Sequence, residues 1–159
     1  AKLGRHALLA VTAEREGLYV SLTRLVSFGP PPETLAALVR AAAEVDAVAL
    51  GASVPGRPLA SAFAEVASAY ARVGYPDEWR QHHQGGLTGY KGREVFATPA
   101  EATPIPDSAA VAWNPSVTGG GKSEDTALVS STGVEVVTRT EGLPELELAG
   151  FVRPAIVEL

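Results

Sequence analysis

The chain contains no cysteine and no methionine. Without thiols it has no disulfides, no thiolate nucleophile and no sulfur-ligated metal, and a cytoplasmic setting is the expectation. Methionine is missing even at position 1, so the opening AKLGRHALLAV reads either as a start whose initiator was removed before Ala1 or as part of a longer protein. Long apolar runs are also missing. Arg, Glu or Asp interrupts each one before the roughly 18 residues a membrane helix needs, and no basic-then-apolar leader is present. Positive charge is scarce: 13 Lys and Arg against 18 Asp and Glu give a net charge of −5. With no basic run or interleaved aromatic stripe, a phosphate backbone is not an expected partner. What remains is 159 residues, 46% hydrophobic and 19% charged, enough for one buried core in an ordinary globular domain.

The hydrophobic periodicity changes along the chain. HALLAVTAEREGLYVSLTRLVSFG reads as two β-strands with a turn at Gly17, because Leu8, Leu9, Val11 and then Leu18, Tyr19, Val20, Leu22, Leu25 and Val26 are strand formers. In PPETLAALVRAAAEVDAVALG the apolar residues Leu35, Leu38, Val39, Ala42 and Val45 recur at helical spacing, with Pro32 in the first turn and Glu33 complementing the dipole. A second helix is predicted in SVPGRPLASAFAEVASAYARVG, stopped by Gly74. From Tyr75 onward the chain is strand-like and rich in Pro and Gly, with SAAVAWNPSV, DTALVSSTGVEVVTRT and ELELAGFVRPAIVEL as strand segments. A hairpin, two helices and then several strands indicate an α+β fold.

Two stretches raise the question of chemistry. Gly121-Lys122-Ser123 matches the last letters of a phosphate-binding loop, but the required first glycine falls on Ser116 and a β-branched strand follows where a helix is needed. A glycine-rich hairpin turn is the better account. EWRQHHQGGLTGYKGRE places His82 and His83 side by side before Gly85 and Gly86. Neighbouring side chains of an extended segment point to opposite faces, so one imidazole enters a given pocket. A loop histidine bonded to backbone is the plain alternative. The glycine pair permits a tight turn or close approach of a ligand to the backbone.

Four segments in order resemble the catalytic domain of the pita-bread metallohydrolases: creatinase, prolidase, aminopeptidase P and methionine aminopeptidase. LLAVTAEREGLYVSLTRLVSFG resembles the first hairpin of that family, including Thr23-Arg24 and Phe28-Gly29. VPGRPLASAFAEVASAYARVG resembles its Pro-Gly-led helix and HHQGGLTGY its histidine-glycine loop. WNPSV and KSEDTALVSSTGVEVVT resemble its glutamate-proline-glycine turn and closing glutamate strand. The resemblance implies an incomplete pita-bread fold, a curved antiparallel sheet covered by helices, in which residues 1–159 form the C-terminal portion of the catalytic domain. The front of the fold is then expected to be missing from the chain, and a missing N-terminal segment or a second copy, as a homo-oligomer, to cover the open sheet face.

The family's peptidases hold two divalent ions such as Mn, Co or Zn with two Asp, one His and two Glu. Carried across, these positions fall on Ala10, Ser21, His83, Asn114 and Glu124. Only His83 and Glu124 keep a ligand of the family's type, and one carboxylate cannot offset about four positive charges in a semi-buried pocket. The expectation is therefore a site with no metal cofactor. By analogy with creatinase, which works without metals, His83 becomes a candidate acid/base for hydrolysis of a small C–N bond. Glu124 would orient it or stabilise a cation. Asn114 and Ser21 would offer hydrogen bonds to a small molecule or short peptide, with His82 and Tyr90 as further candidates and Arg93 as a carboxylate clamp. Glycine spacing alone selects His83, and a slip of one residue would select His82. Two alternatives stand beside this reading: a non-catalytic binding or dimerisation module, and a metal-dependent Xaa-Pro dipeptidase or aminopeptidase.

Overall fold

A computed structural model of the chain describes residues 4–159. The first hairpin forms where the strand pattern predicts it. Strands β1 (His6–Arg15) and β2 (Leu18–Ser27) pair antiparallel in a register that sets Thr12 opposite Ser21 and Ala10 opposite Thr23. Beyond Ala7, β1 is exposed along its whole length, with Leu8, Leu9 and Val11 each more than 40% accessible.

Helix α1 (Glu33–Ala52) and helix α2 (Leu59–Arg72) follow at nearly the predicted limits, each entered from a proline at the cap. Alanines at 42, 43, 47, 49 and 52 of α1 are essentially inaccessible. Their small side chains let other elements approach α1 closely. Phe63, Val66 and Tyr70 of α2 pack into the same core with Val45 and Leu50.

A short 3₁₀ turn (Glu78–Arg80) leads into β3 (Gly85–Thr88), β4 (Val95–Phe96) and β5 (Ala109–Trp113). A small hairpin of β6 (Ser116–Val117) and β7 (Gly121–Lys122) precedes β8 (Asp125–Ser130) and β9 (Gly133–Val136). Strands β4-β3-β5-β8-β9 form one antiparallel sheet, whose Val111, Trp113, Ala127 and Val129 meet the helices in the core. The Trp113 indole donates to Ser53 Oγ at the end of α1 at 2.9 Å, which satisfies its buried N–H. The chain closes with the hairpin β10 (Glu145–Leu148) and β11 (Phe151–Pro154), then β12 (Val157–Glu158), which pairs parallel with β2. Among the described residues no helix is long and apolar enough to cross a membrane.

The glycine pair after the histidines serves a different purpose from the one expected. A Cβ at Gly85 would lie 2.2 Å from the Ala112 carbonyl oxygen, and one at Gly86 would lie 2.1 Å from the Val95 carbonyl oxygen. The space is taken by neighbouring strands β5 and β4, not left for a ligand.

Candidate functional site

The site forms where the first hairpin meets the large sheet. Thr23 and Glu124 make an isolated antiparallel bridge, with Thr23 N–H donating to the Glu124 carbonyl at 3.0 Å. Ser21 N–H donates to Thr126 Oγ1 at 2.8 Å, which docks β2 onto β8. Strand alternation then sorts the side chains around Glu124. Lys122 and Glu124 turn to the site, while Ser123 and Asp125 turn the other way toward the interior.

Every oxygen of the Glu124 carboxylate is engaged. Oε2 accepts from Thr23 Oγ1 at 2.6 Å and lies 3.6 Å from Lys122 Nζ. Oε1 accepts from Arg93 Nη2 at 3.1 Å. Arg93 also donates to Ser21 Oγ at 3.3 Å, and Ser21 in turn shares a 3.1 Å hydrogen bond with Thr12. The side chains of Arg93 and Glu124 are 7% and 9% accessible, and that of Lys122 is 17% accessible. Two cations thus face one carboxylate in a largely desolvated setting. Burial lowers the pKa of both Lys122 and Arg93, although Glu124 opposes that shift.

The histidine pair lies in an irregular segment ahead of β3, and its two rings have different surroundings. His82 Nδ1 contacts the His83 carbonyl at 2.5 Å, and its Nε2 contacts Ser116 Oγ. A carbonyl only accepts, so Nδ1 carries the proton and Nε2 accepts from the Ser116 hydroxyl. His82 is a fastener of its own loop. His83 has no ring hydrogen bond among the described residues, and packs edge-to-face on Phe96 with centroids 4.8 Å apart. Partial burial, first, and then the charge of Arg93 hold its pKa below the ordinary imidazole value; His82 and Lys122 add to the effect and Glu124 opposes it. Gln84 faces inward, accepting from Tyr70 Oη at 2.7 Å and donating to the carbonyls of Trp79 and His82. This buried amide fixes the loop from which both imidazoles project.

A titration follows from these contacts. The His83 imidazole signal is expected to show a midpoint below the roughly 6.5 of a free imidazole, and Lys122→Gln is expected to raise it. Because the unfolded chain binds this proton more readily, the contribution of His83 to stability is complete above about pH 6.5 and is lost as pH falls through the depressed folded value. A midpoint at or above that of free imidazole, measured by NMR, would contradict this arrangement.

The other predicted residues are placed unevenly. Asn114 is buried beside the cluster: its backbone carbonyl accepts from Lys122 Nζ at 3.3 Å, and its Oδ1 has no partner among the described residues. Ala10 lies across from Thr23 on the exposed strand and supplies no donor atom. Tyr90 is 76% accessible and lines an apolar groove with Leu18, Leu87 and Leu128, apart from the Glu124 cluster. Arg93 is committed to Glu124 and Ser21, so it is not the free clamp that its place in the sequence suggests.

Beneath the site runs a second, fully buried ionic network. Asp46 of α1 accepts through Oδ2 from Ser123 Oγ at 2.6 Å and from Arg153 Nε at 2.9 Å. Arg153 also reaches Asp125 Oδ2 at 2.8 Å, and Asp125 Oδ1 takes Arg24 at 2.9 Å and Thr138 at 2.6 Å. Burial raises the Asp46 pKa against the pull of Arg153. Since Ser123 and Asp125 flank Glu124, these ion pairs fix the backbone that presents it.

The donor set does not suit two divalent ions. No group of three or more His, Cys, Asp or Glu side chains capable of holding a metal occurs among the described residues. Glu124 is taken up by guanidinium, ammonium and hydroxyl, and two fixed positive charges repel a further cation.

No protein-family model matches the sequence, and no curated protein matches it. Solved structures do match. The dipeptidase of Pyrococcus horikoshii superposes with a TM-score of 0.78 at 18% identity, covering 97% of this chain and 41% of that one. The chain has the pita-bread fold. The Xaa-Pro dipeptidase of Bacillus anthracis is similar to the same extent, with a TM-score of 0.77 at 21% identity over 96% of this chain and 41% of its own. The N-terminal domain of FACT complex subunit SPT16 from Cicer arietinum aligns with a TM-score of 0.69 at 15% identity, over 84% of this chain and 35% of that one. This pita-bread chain therefore spans about two fifths of the length of the two dipeptidases it matches.

Lys122 lies inside the partial phosphate-loop match and is not among the candidate residues named from the sequence. The signal was available: in a strand leading to Glu124, a residue two positions earlier shares its face. Asp46 and Arg153 gave no such signal, being single charges in helix α1 and strand β11.

Proposed function

We propose that this pita-bread chain acts without metal ions, using His83 as proton acceptor and donor in the hydrolysis of a C–N bond in a small molecule or short peptide. The observation that supports this reading is the free ring of His83. It has no hydrogen bond among the described residues, is biased toward its neutral form by burial and by Arg93, and lies beside a carboxylate already paired with two cations. A neutral imidazole can take a proton from water as the water oxygen adds to the carbon. The same imidazolium then returns that proton to the departing nitrogen as the C–N bond breaks, so protons balance over the cycle.

The test is hydrolysis of a panel of small amides, amidines and dipeptides in the presence of a chelator. Turnover is expected to survive chelation and to fall by about 10²–10⁴-fold in His83→Ala, the range general acid–base catalysis supplies. Its rate should rise with pH through the depressed His83 value and level off by neutrality. Activity that appears only on adding Mn, Co or Zn would establish the metal-dependent peptidase instead.

A second reading, a non-catalytic binding module, is favoured by one feature. Both oxygens of Glu124 are occupied, so no carboxylate is left to orient His83. Absence of turnover across the panel, with ligand binding retained, would support it.

A further inference from the structure

We infer that Arg93 and Lys122 are resident cations that take the place of a metal pair, and that Lys122 receives a carboxylate of the ligand beside His83. The inference rests on the metal-free reading above and adds the chemical class of the ligand. Counting charge around the site, β2 contributes the neutral Ser21 and Thr23, the end of β5 the neutral Asn114, and the histidine loop the bonded His82 and the unbonded His83. Charged groups come from the β3–β4 connection, with Arg93, and from the approach to β8, with Lys122 and Glu124. Arg24 and Asp125 satisfy one another on the far side of the strands. Two cations and one carboxylate leave a single positive charge, which matches a monoanion better than a doubly charged phosphate.

The two cations are not equivalent. Arg93 is nine-tenths buried, and both of its terminal nitrogens are bonded, to Glu124, Ser21 and the Gly92 carbonyl. Its Nε is buried with no partner among the described residues, so the guanidinium is short of acceptors there. Lys122 is more accessible, and its contact to Glu124 is long at 3.6 Å. A flexible ammonium with one long ion pair and one backbone acceptor retains bonding capacity for an incoming carboxylate oxygen. A divalent cation brought to the same place meets two positive charges and, among the described residues, no free oxygen anion.

The experiment uses the whole chain and two probes, sodium acetate and manganese(II), read on the His83 imidazole signal by NMR, with His6 of the remote hairpin end as internal reference. Acetate is expected to shift the His83 signal saturably and to raise its titration midpoint, beyond any change produced by sodium chloride at equal ionic strength. Lys122→Gln should weaken acetate binding by about tenfold or more, the loss expected of one charge-assisted hydrogen bond, and Lys122→Arg should restore most of it. Glu124 keeps Arg93 and Thr23 in the glutamine variant, and an unchanged His6 signal verifies the fold. Manganese is expected to leave His83 unbroadened. Saturable binding of phosphate without acetate, a response indistinguishable from chloride, or manganese broadening of His83 in the unmodified chain would each overturn the inference. Because occupancy and not turnover is measured, a chain that binds acetate through Lys122 but hydrolyses nothing would defeat only the catalytic proposal.

Discussion

Arg153→Met is expected to destabilise the protein by about 3–5 kcal/mol, the cost of removing one partner from a buried ion pair. The guanidinium is wholly inaccessible and stands between two carboxylates, Asp46 at 2.5 Å and Asp125 at 2.8 Å. Among the described residues, without it Asp125 keeps Arg24, but Asp46 keeps only the Ser123 hydroxyl and already has an oxygen with no partner. A chain of this size loses roughly 2–4 °C of melting temperature per kcal/mol, so a fall of the order of 10 °C is expected in thermal denaturation. The pH dependence carries the diagnosis. Burial raises the folded-state pKa of Asp46 and Arg153 pulls against that rise, so without Arg153 the ionised form costs more and acidification relieves more in the variant than in the unmodified protein. The variant should therefore lie closer to the unmodified protein at mildly acidic pH than at pH 8. The double variant Arg153→Met with Asp46→Leu should recover a substantial part of the loss, because apolar residues replace buried ion pairs at little cost. A single variant that melts within 2 °C of the original at pH 8, or an unchanged deficit on acidification, would show that the network does not carry this energy.

The same network marks the boundary of what the letters convey. Local signals were legible: Gly17 between two runs of strand formers gave the hairpin, and apolar spacing gave α1 and α2 close to their observed limits. Four motifs in order were enough to indicate the fold. Glycine spacing chose His83 over His82 as the pocket histidine, a choice for the His83 titration and His83→Ala to test; His82 bonds to Ser116. Partners far apart in sequence were not legible. Arg153 meets Asp46 across 107 positions, and Arg93 meets Glu124 across 31. Each charge read alone is what an exposed surface also carries, and only tertiary packing makes it a buried counter-ion. Lys122 stood between these cases. Its spacing from Glu124 was informative, but the surrounding glycines drew attention to a loop that binds phosphate in other folds. Arg93 meets the same limit, since a lone cation in a loop shows its charge but not the carboxylate that pairs with it.

Gly86→Ala is expected to cost about 3–5 kcal/mol, combining a strained backbone with overpacking in a filled interior. Gly86 has φ +145° and Gly85 has φ +113°, values L side chains rarely adopt. At Gly86 an added methyl would meet the Val95 carbonyl oxygen at 2.1 Å and the Ala97 nitrogen at 2.8 Å. Both obstacles are backbone atoms, so no side-chain rotation relieves the contact. β4 would have to separate from β3, breaking the register that sets Gly86 opposite Phe96. Phe96 is the ring on which His83 rests, so the disturbance reaches the candidate proton carrier directly. A folded remnant should therefore show fast amide exchange at Leu87 and Ala97 and a His83 midpoint displaced from that of the unmodified chain. Asn114 adds a second route: its N–H donates to the Gln84 carbonyl at 3.1 Å, next to the altered strand, while its own carbonyl holds Lys122. Loss of acetate binding is then expected together with loss of stability, unlike Lys122→Gln, which should lose binding alone. Native melting and native acetate affinity in Gly86→Ala would mean that the close packing of β3 on β4 does not position the site.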